Sequence, residues 1–208
     1  MEKKIDWSLY LCTDRELTGE KNFETCVEDA IKGGVTVVQL REKNLSGKKF
    51  FETALSLKKI TGKYKIPLII NDRVDIAVAA DADGVHVGQS DLPAKAARKI
   101  IGDEKILGVS ASTLDEALKA ESDGADYIGV GGIFFTATKP DAESVSPETL
   151  KKICESVKIP VVAIGGINSE TLPRVKNTGI AGVAVVSAIV AAENPEDAAK
   201  NLLKIWRE

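Results

Sequence analysis

The chain has 208 residues, of which 44% are hydrophobic and 28% charged, a composition typical of a globular domain with one sizeable core. Its formal net charge of −3 argues against a nucleic-acid-binding surface, which normally carries a basic excess. No apolar run approaches the roughly 20 residues that span a bilayer, and the first residues lack the apolar core of a signal peptide. We therefore expect one cytoplasmic domain, residues 1–208, with no nucleic-acid or membrane partner. The sequence is compatible with a homo-oligomer but does not determine the oligomeric state.

The three cysteines, Cys12, Cys26 and Cys154, are far apart and match no metal-ligand spacing. Each lies among apolar residues, so we expect all three to be reduced thiols that serve in packing.

Eight short runs rich in β-branched residues recur along the chain, and amphipathic stretches of helical period separate them. The predicted strands are Leu9–Thr13, Thr36–Leu40, Pro67–Asn71, Val85–Gly88, Ile106–Ser110, Tyr127–Val130, Pro160–Ile164 and Val183–Val186. Predicted helices include Phe23–Lys32, Lys48–Thr61, Leu114–Ser122 and Pro147–Ser156. Eight βα units with short connections predict a (β/α)₈ TIM barrel. An open doubly wound sheet is the alternative, because strand order is not visible in a sequence.

A weak internal repeat also favours a closed barrel. Lys-Ile-Pro precedes the third and the seventh predicted strand, starting at Lys65 and Lys158, and Gly-Val-x-Val recurs in the fourth and the eighth, starting at Gly84 and Gly182. The two halves are thus offset by four βα units, as a duplicated half-barrel would be.

Polar side chains follow the second strand at alternating positions. Because side chains alternate along a strand, Gln39, Arg41 and Lys43 project together, whereas Val38 and Leu40 face the helices. The active site of such barrels lies at the C-terminal ends of the strands. Two cations and an amide there predict a site for a phosphorylated ligand, and a solvated strand end with scattered charges is the alternative.

Two aspartates follow adjacent strands: Asp72 in Asn71-Asp72-Arg73 after the third, and Asp91 after the fourth. Mg²⁺ in proteins is usually held by one or two carboxylates together with waters and substrate phosphate. The pair therefore predicts a shared Mg²⁺ that carries a pyrophosphate group. Helix N-capping is the alternative for each aspartate taken alone.

The only histidine, His86, lies inside the fourth strand, so we expect a structural role more than a catalytic one. A Ser-His-Asp triad is therefore not expected. Ser110 and Ser112 offer hydroxyl groups after the fifth strand.

Features that suit phosphate binding follow the last three strands. The long segment after the sixth strand predicts a loop that closes on anions, with a plain surface loop as the alternative. Glycines after the seventh strand and the helix start after the eighth would expose backbone N–H groups, which bind phosphate in many barrels. The residues concerned are Gly131, Gly132, Thr136, Thr138, Lys139, Gly165, Gly166, Val186 and Ser187.

Taken together in this order, these residues resemble the thiamine-phosphate synthase family over nearly the whole chain. The matching segments are Gln39–Lys43, Asn71–Arg73, Gly84–Asp91, Thr136–Lys139, Ala163–Ile167 and Val186-Ser187. The resemblance implies a transferase that joins 4-amino-5-hydroxymethyl-2-methylpyrimidine diphosphate to thiazole phosphate and gives thiamine phosphate and pyrophosphate. It implies loss of pyrophosphate first, and capture of the pyrimidine cation by the thiazole nitrogen.

The resemblance also implies roles for individual residues. Asp72 and Asp91 would hold Mg²⁺, and Ser110 would lie beside the pyrimidine. The pyrimidine diphosphate would be bound by Gln39, Arg41, Lys43, Asn71 and Lys139, and the thiazole phosphate by Thr136, Thr138, Gly166, Val186 and Ser187. Arg41, Lys139 and Ser110 are the residues expected to act directly on the reacting groups.

The chain departs from the family at one loop, which usually reads Gly-Pro-Ile-Phe-Pro-Thr after the sixth strand. Here Gly132 and Phe135 replace the two prolines. Proline fixes φ, so their loss predicts a more mobile loop without removing a charged or hydroxyl contact.

Three other functions are considered. A thiazole tautomerase of the same fold would lack parts of the diphosphate site, and the retention of Lys43, Asp72, Asp91 and Lys139 argues against it. A lyase with a Schiff base on Lys139 would need a depressed lysine pKa, which a polar loop does not favour. A non-catalytic sensor of phosphorylated metabolites would not need paired aspartates.

Overall fold

The computed structural model describes residues 5–135 and 144–208. Within them, eight parallel strands form a closed barrel in chain order, with the last strand paired to the first. The strands are β1 (Leu9–Cys12), β2 (Val37–Leu40), β3 (Leu68–Asn71), β4 (Gly84–Val87), β5 (Ile106–Ala111), β6 (Tyr127–Gly131), β7 (Val161–Ile164) and β8 (Gly182–Val185). Each predicted strand agrees with its observed bounds to within one residue at either end. The predicted TIM barrel is confirmed, and the open sheet is excluded.

Helices follow the strands around the outside of the barrel. They are α1 (Phe23–Lys32), α2 (Gly47–Tyr64), α3 (Val74–Ala79), α4 (Ala94–Ile101), α5 (Leu114–Ser122), α6 (Pro147–Ser156), α7 (Ser187–Val190) and α8 (Pro195–Arg207). Three of the four predicted helices have the predicted bounds, and the fourth lies inside α2. Short-range signals explain this agreement: Thr113 and Glu116 form a capping box before α5, and Ser146 caps α6 ahead of Pro147.

The core has two layers, separated by the wall of the barrel. The outer layer lies between strands and helices and contains Val38 and Leu40, as the alternation along β2 predicts. The inner layer fills the barrel with Trp7, Tyr10, Cys12, Val37, Ile69, Tyr127, Val162 and Ala184. Because the inner layer closes the barrel from within, polar residues at the C-terminal ends of the strands lie above a packed floor.

The three cysteines are free thiols, as predicted. Cys12 and Cys26 are buried and Cys154 is half-buried. Burial raises the pKa of the Cys12 thiol to about 12, although the nearby Arg41 opposes this, so Cys12 is a packing residue rather than a nucleophile. Across the two described ranges, no helix combines the length and the apolar character needed to cross a membrane.

Candidate active site

A cleft of about 610 Å³ opens at the C-terminal ends of the strands. It lies where the fold places the active sites of such barrels. Ten of the predicted site residues line it: Gln39, Arg41, Lys43, Asn71, Asp72, Asp91, Ser110, Gly166, Val186 and Ser187. Thr136, Thr138 and Lys139 lie outside the described residues, so their predicted roles stay predictions.

The carboxyl groups of the two aspartates lie close enough to influence each other's ionisation, as expected for a pair that could share one cation. Asp72 Oδ2 accepts a hydrogen bond from Lys43 Nζ at 2.6 Å, and Asp91 Oδ2 accepts one from the Gly88 N–H at 2.8 Å. Burial raises the pKa of Asp91, and the neighbouring Asp72 carboxylate raises it further. Burial opposes ionisation of Asp72 too, but the Lys43 ammonium holds the pKa of that carboxyl below its usual value. The pair concentrates negative charge that one cation would neutralise.

Neither aspartate caps a helix with its side chain. Helix α3 follows Arg73 and helix α4 follows Pro93, and neither start has a side-chain cap. Asp72 instead has a left-handed backbone, with φ of 62°, which residues other than glycine seldom adopt. Strain of this kind clusters at functional sites, where surrounding contacts maintain it. The N-capping alternative for Asp72 and Asp91 is therefore wrong.

The two cations after β2 are paired with carboxylates. Lys43 contacts Asp72, and Arg41 Nη1 lies 3.3 Å from Asp14 Oδ2 on the neighbouring loop after β1. The Arg41 backbone N–H also donates to Thr13 Oγ1 at 3.1 Å, so the two loops are joined by main-chain and side-chain contacts. A phosphate group in the cleft would therefore compete with these two carboxylates for contact with Arg41 and Lys43.

A chain of hydrogen bonds runs below the cleft through the buried interior of the barrel. Gln39 Nε2 donates to the Tyr10 hydroxyl at 2.8 Å, and the Tyr10 and Tyr127 hydroxyls are 2.7 Å apart. The Tyr127 hydroxyl lies 2.8 Å from His86 Nδ1, and His86 Nε2 lies 2.9 Å from Ser110 Oγ. The prediction that His86 is a satisfied histidine agrees with these two contacts, but its ring also lines the cleft.

Tyr10 and Tyr127 were not predicted as site residues. The signal that could have found them is register: Tyr10 and Cys12 share the inward-facing positions of β1, and Cys12 lies beside Gln39 of β2. The sequence did not reveal that the absence of a side chain at Gly108 leaves space for the Tyr127 ring. A Cβ on Gly108 would lie 2.2 Å from Tyr127 Cζ, so only glycine at that position of β5 admits the ring.

The glycine turn after β7 packs against the chain that leaves β6. Gly166 has φ of 61°, and a Cβ there would lie 2.6 Å from the Phe135 carbonyl oxygen. The Phe134 N–H donates to the Gly165 carbonyl at 3.0 Å, and the Val145 N–H donates to the Gly132 carbonyl at 3.1 Å. These bonds hold Phe134 and Val145, which lie on either side of the predicted anion-binding loop, close to the glycine turn after β7. The effect of the missing prolines on that loop stays a prediction.

Comparisons with known proteins agree with this geometry. The profile of the thiamine monophosphate synthase family matches residues 9–189. The chain is 58% identical to the thiamine-phosphate synthase of Ruminiclostridium cellulolyticum over 206 residues, covering 99% of this chain and 98% of the relative. It is 59% identical to that of Clostridium botulinum, covering 97% and 95%.

Solved structures give the same result. The thiamine phosphate pyrophosphorylase of Pyrococcus furiosus superposes with a TM-score of 0.90 at 43% identity, covering 97% of this chain and 96% of that one. A 3-hexulose-6-phosphate synthase, 18% identical with a TM-score of 0.71, shares the fold. By sequence and by structure, this chain belongs to the thiamine monophosphate synthase family.

Proposed function

We propose that the cleft joins a pyrimidine diphosphate to thiazole phosphate and releases pyrophosphate, as a thiamine-phosphate synthase. The observation that carries the proposal is that two groups of residues suited to holding phosphate, one of them through a metal ion, line one cleft. Asp72, Asp91 and the β2 cations lie after β2 to β4, and the glycine turn and α7 lie after β7 and β8. In a closed eight-stranded barrel these regions face each other across the mouth, which suits two phosphorylated substrates that react between them.

The donor set fits Mg²⁺. No group of three or more His, Cys, Asp or Glu side chains within residues 5–135 and 144–208 is placed to hold a metal alone. The adjacent Asp72 and Asp91 provide two carboxylates, and Mg²⁺ commonly completes such a set with waters and substrate phosphate oxygens. When bound, the ion supplies positive charge that neutralises the leaving pyrophosphate.

The side chains of β2 would bind the diphosphate directly. Arg41 and Lys43 would leave Asp14 and Asp72 and contact phosphate oxygens, and charge-assisted bonds of this kind are the stronger ones in proteins. We expect Gln39 and Asn71 to orient the pyrimidine diphosphate and Ser110 to lie against the pyrimidine ring. Lys139 is expected to add a third cation.

Thiazole phosphate would bind on the other side of the mouth. Gly166 supplies a turn without a side chain, and Val186 and Ser187 begin the short helix α7, whose first N–H groups point along its axis. Thr136 and Thr138 are expected to add hydroxyl contacts. The thiazole nitrogen needs no general base because its lone pair is already free, so this step does not require the hydrogen-bonded His86 to accept a proton.

The pyrimidine cation must be kept from water until the thiazole nitrogen captures it. The Arg174 guanidinium lies 4.7 Å from the centre of the Phe134 ring, and Phe135 is 90% exposed at the rim. We propose that these aromatic residues cover the cleft when both substrates are bound, with Arg174 fixing the nearer ring.

The test is pyrophosphate release, measured with each substrate alone and with both, in the presence and absence of Mg²⁺. We expect release only with both substrates and Mg²⁺, and thiamine phosphate in equal amount. Full-rate release from the pyrimidine diphosphate alone would instead indicate a hydrolase. Borohydride trapping with substrate would reveal the Schiff-base lyase, and isomerisation of a thiazole phosphate without pyrophosphate release would reveal the tautomerase.

A matched pair of variants tests the metal site. Asp91→Asn should lower Mg²⁺-dependent turnover by about 10²–10³-fold, by analogy with the removal of one electrostatic contact from an oxyanion hole. Asp103→Asn removes a carboxylate from the loop before β5, at the opposite end of the barrel, and should leave turnover unchanged. Equal turnover in the two variants would remove Asp91 from the site.

A further inference from the structure

The buried chain of hydrogen bonds beneath the cleft has a direction, and that direction can be derived by counting donors. Its five members are Gln39, Tyr10, Tyr127, His86 and Ser110, and neighbouring members are joined at 2.7 to 2.9 Å. Tyr10 and Tyr127 are each 1% exposed. Among the described residues, no buried side-chain nitrogen or oxygen lacks a partner. The hydroxyl hydrogens of the two buried tyrosines must therefore each point to a neighbour within the chain.

The Gln39 amide begins the count. Its Nε2 faces the Tyr10 oxygen and can only donate, so Tyr10 accepts from Gln39 and directs its own hydrogen to Tyr127. Tyr127 then accepts from Tyr10 and directs its hydrogen to His86 Nδ1, which must carry a lone pair. The remaining proton of a neutral imidazole is on Nε2, and that N–H donates to Ser110 Oγ.

The opposite direction leaves a group unsatisfied. If His86 Nδ1 carried a proton, in a neutral or a cationic ring, the ring and the Gln39 amide would donate from both ends into the two tyrosines. Two hydroxyl hydrogens would then share the single contact between Tyr10 and Tyr127, and one of them would be buried without an acceptor. A buried hydroxyl hydrogen without an acceptor is unfavourable, so the direction that satisfies every group is favoured at equilibrium.

We propose that Gln39 sets the direction of this chain, so that His86 is held as the neutral Nε2–H tautomer and Ser110 is left to donate its hydroxyl hydrogen into the cleft. Gln39, Tyr10, Tyr127 and His86 are then positioning residues for Ser110. Ser110 is half-buried and lines the cleft, so its hydroxyl group can donate a hydrogen bond to an acceptor atom on a bound ligand. An aromatic ring nitrogen is such an acceptor. This last step rests on the proposed function, whereas the tautomer does not.

The packing around the rings makes the arrangement rigid. The Trp7 and Tyr127 ring centres are 4.4 Å apart, and the His86 and Tyr127 ring centres are 5.5 Å apart. A Cβ on Gly129 would lie 3.0 Å from His86 Cε1, so the imidazole rests directly on the β6 backbone. A rigid chain can hold one tautomer without rotation of the rings.

The test is the ¹⁵N NMR spectrum of the ligand-free, full-length protein labelled at histidine. Because His86 is the only histidine, its two ring nitrogens give the only signals. We expect a protonated, pyrrole-like Nε2 and an unprotonated Nδ1 at neutral pH. An Nδ1–H tautomer or a doubly protonated ring would overturn the proposal, whatever the outcome of the pyrophosphate assay.

A variant tests the role assigned to Gln39. In Gln39→Glu, an ionised carboxylate can only accept, so the chain should reverse and His86 should change to the Nδ1–H form. The spectrum is recorded at a pH where the carboxyl ¹³C signal shows ionisation. Persistence of Nε2–H there would overturn the role of Gln39. Tyr64→Phe is the control: the Tyr64 hydroxyl donates to Glu28 at 2.8 Å on the outer surface, and its loss should leave the His86 signals unchanged.

Discussion

Substituting Gly108 with alanine should destabilise the protein strongly. Gly108 lies on β5 beside Tyr127 of β6, and an added Cβ would lie 2.2 Å from Tyr127 Cζ and 2.3 Å from its hydroxyl oxygen. Real Cβ atoms do not approach so closely, so the ring would have to move by about 1 Å. It has no free space to enter, because Trp7, Tyr10 and His86 surround it.

The expected loss follows from two contributions. Overpacking a well-packed core costs about 1–3 kcal/mol, and displacing Tyr127 from either buried hydrogen-bond partner adds about 1–3 kcal/mol. We therefore expect Gly108→Ala to lower the free energy of unfolding by about 2–6 kcal/mol, a large part of the roughly 5–15 kcal/mol of a typical domain. With a urea slope of about 2 kcal/mol per M, the unfolding midpoint would fall by about 1–3 M.

The assay is urea unfolding followed by circular dichroism, with Gly62→Ala as the matched control. Gly62 lies inside α2, and a Cβ there meets no atom within 4 Å. Alanine is the better helix former, so that variant should be more stable by about 0.5–1 kcal/mol. Refutation is simple: if Gly108→Ala unfolds within about 0.5 kcal/mol of the unsubstituted protein, the Tyr127 ring is not confined as described.

Two further predictions concern groups outside the cleft. Asp81 contacts Lys58 and Lys105, whose ammonium groups lower the pKa of its carboxyl to about 2. Its stabilising contribution is complete above the ordinary pKa near 4 and is lost as the pH falls through about 2. Asp81→Asn should therefore unfold at lower urea than the unsubstituted protein at pH 5 and at the same urea near pH 2; a difference that grows on acidification would contradict this. The second prediction is that an aromatic disulfide reagent labels half-buried Cys154 before buried Cys12 in the native protein, since burial raises the thiol pKa to about 11 and about 12 respectively. Peptide mapping at early times would show the order, and earlier labelling of Cys12 would contradict it.

Local signals predicted most of the fold. The capping residues Thr113 and Ser146 fixed helix starts to the residue, and the alternation of Gln39 with Val38 and Leu40 separated the cleft from the outer core layer. Closure of the barrel is a long-range property, and the count of βα units and their short connections predicted it only because few other folds accommodate eight of them.

The candidate site was predictable where polar residues follow strands directly. Asp72 and Asp91 met as expected because adjacent strands end at the same edge of the barrel. The part that could not be predicted depends on packing between strands: nothing in the local sequence of Tyr127 indicates that Gly108 makes room for its ring or that its hydroxyl lies between Tyr10 and His86. In the chain, Tyr127 is separated from His86 by 41 positions and from Tyr10 by 117 positions.

The position of a divalent cation bound with the diphosphate tests the central claim most directly. Crystals grown with Mn²⁺ and a non-hydrolysable pyrimidine diphosphate analogue would locate the ion by its anomalous scattering. We predict one peak at the mouth of the barrel, bonded to the carboxylates of both Asp72 and Asp91 and to the diphosphate. With the analogue bound, a peak remote from these carboxylates, or none, would contradict the account.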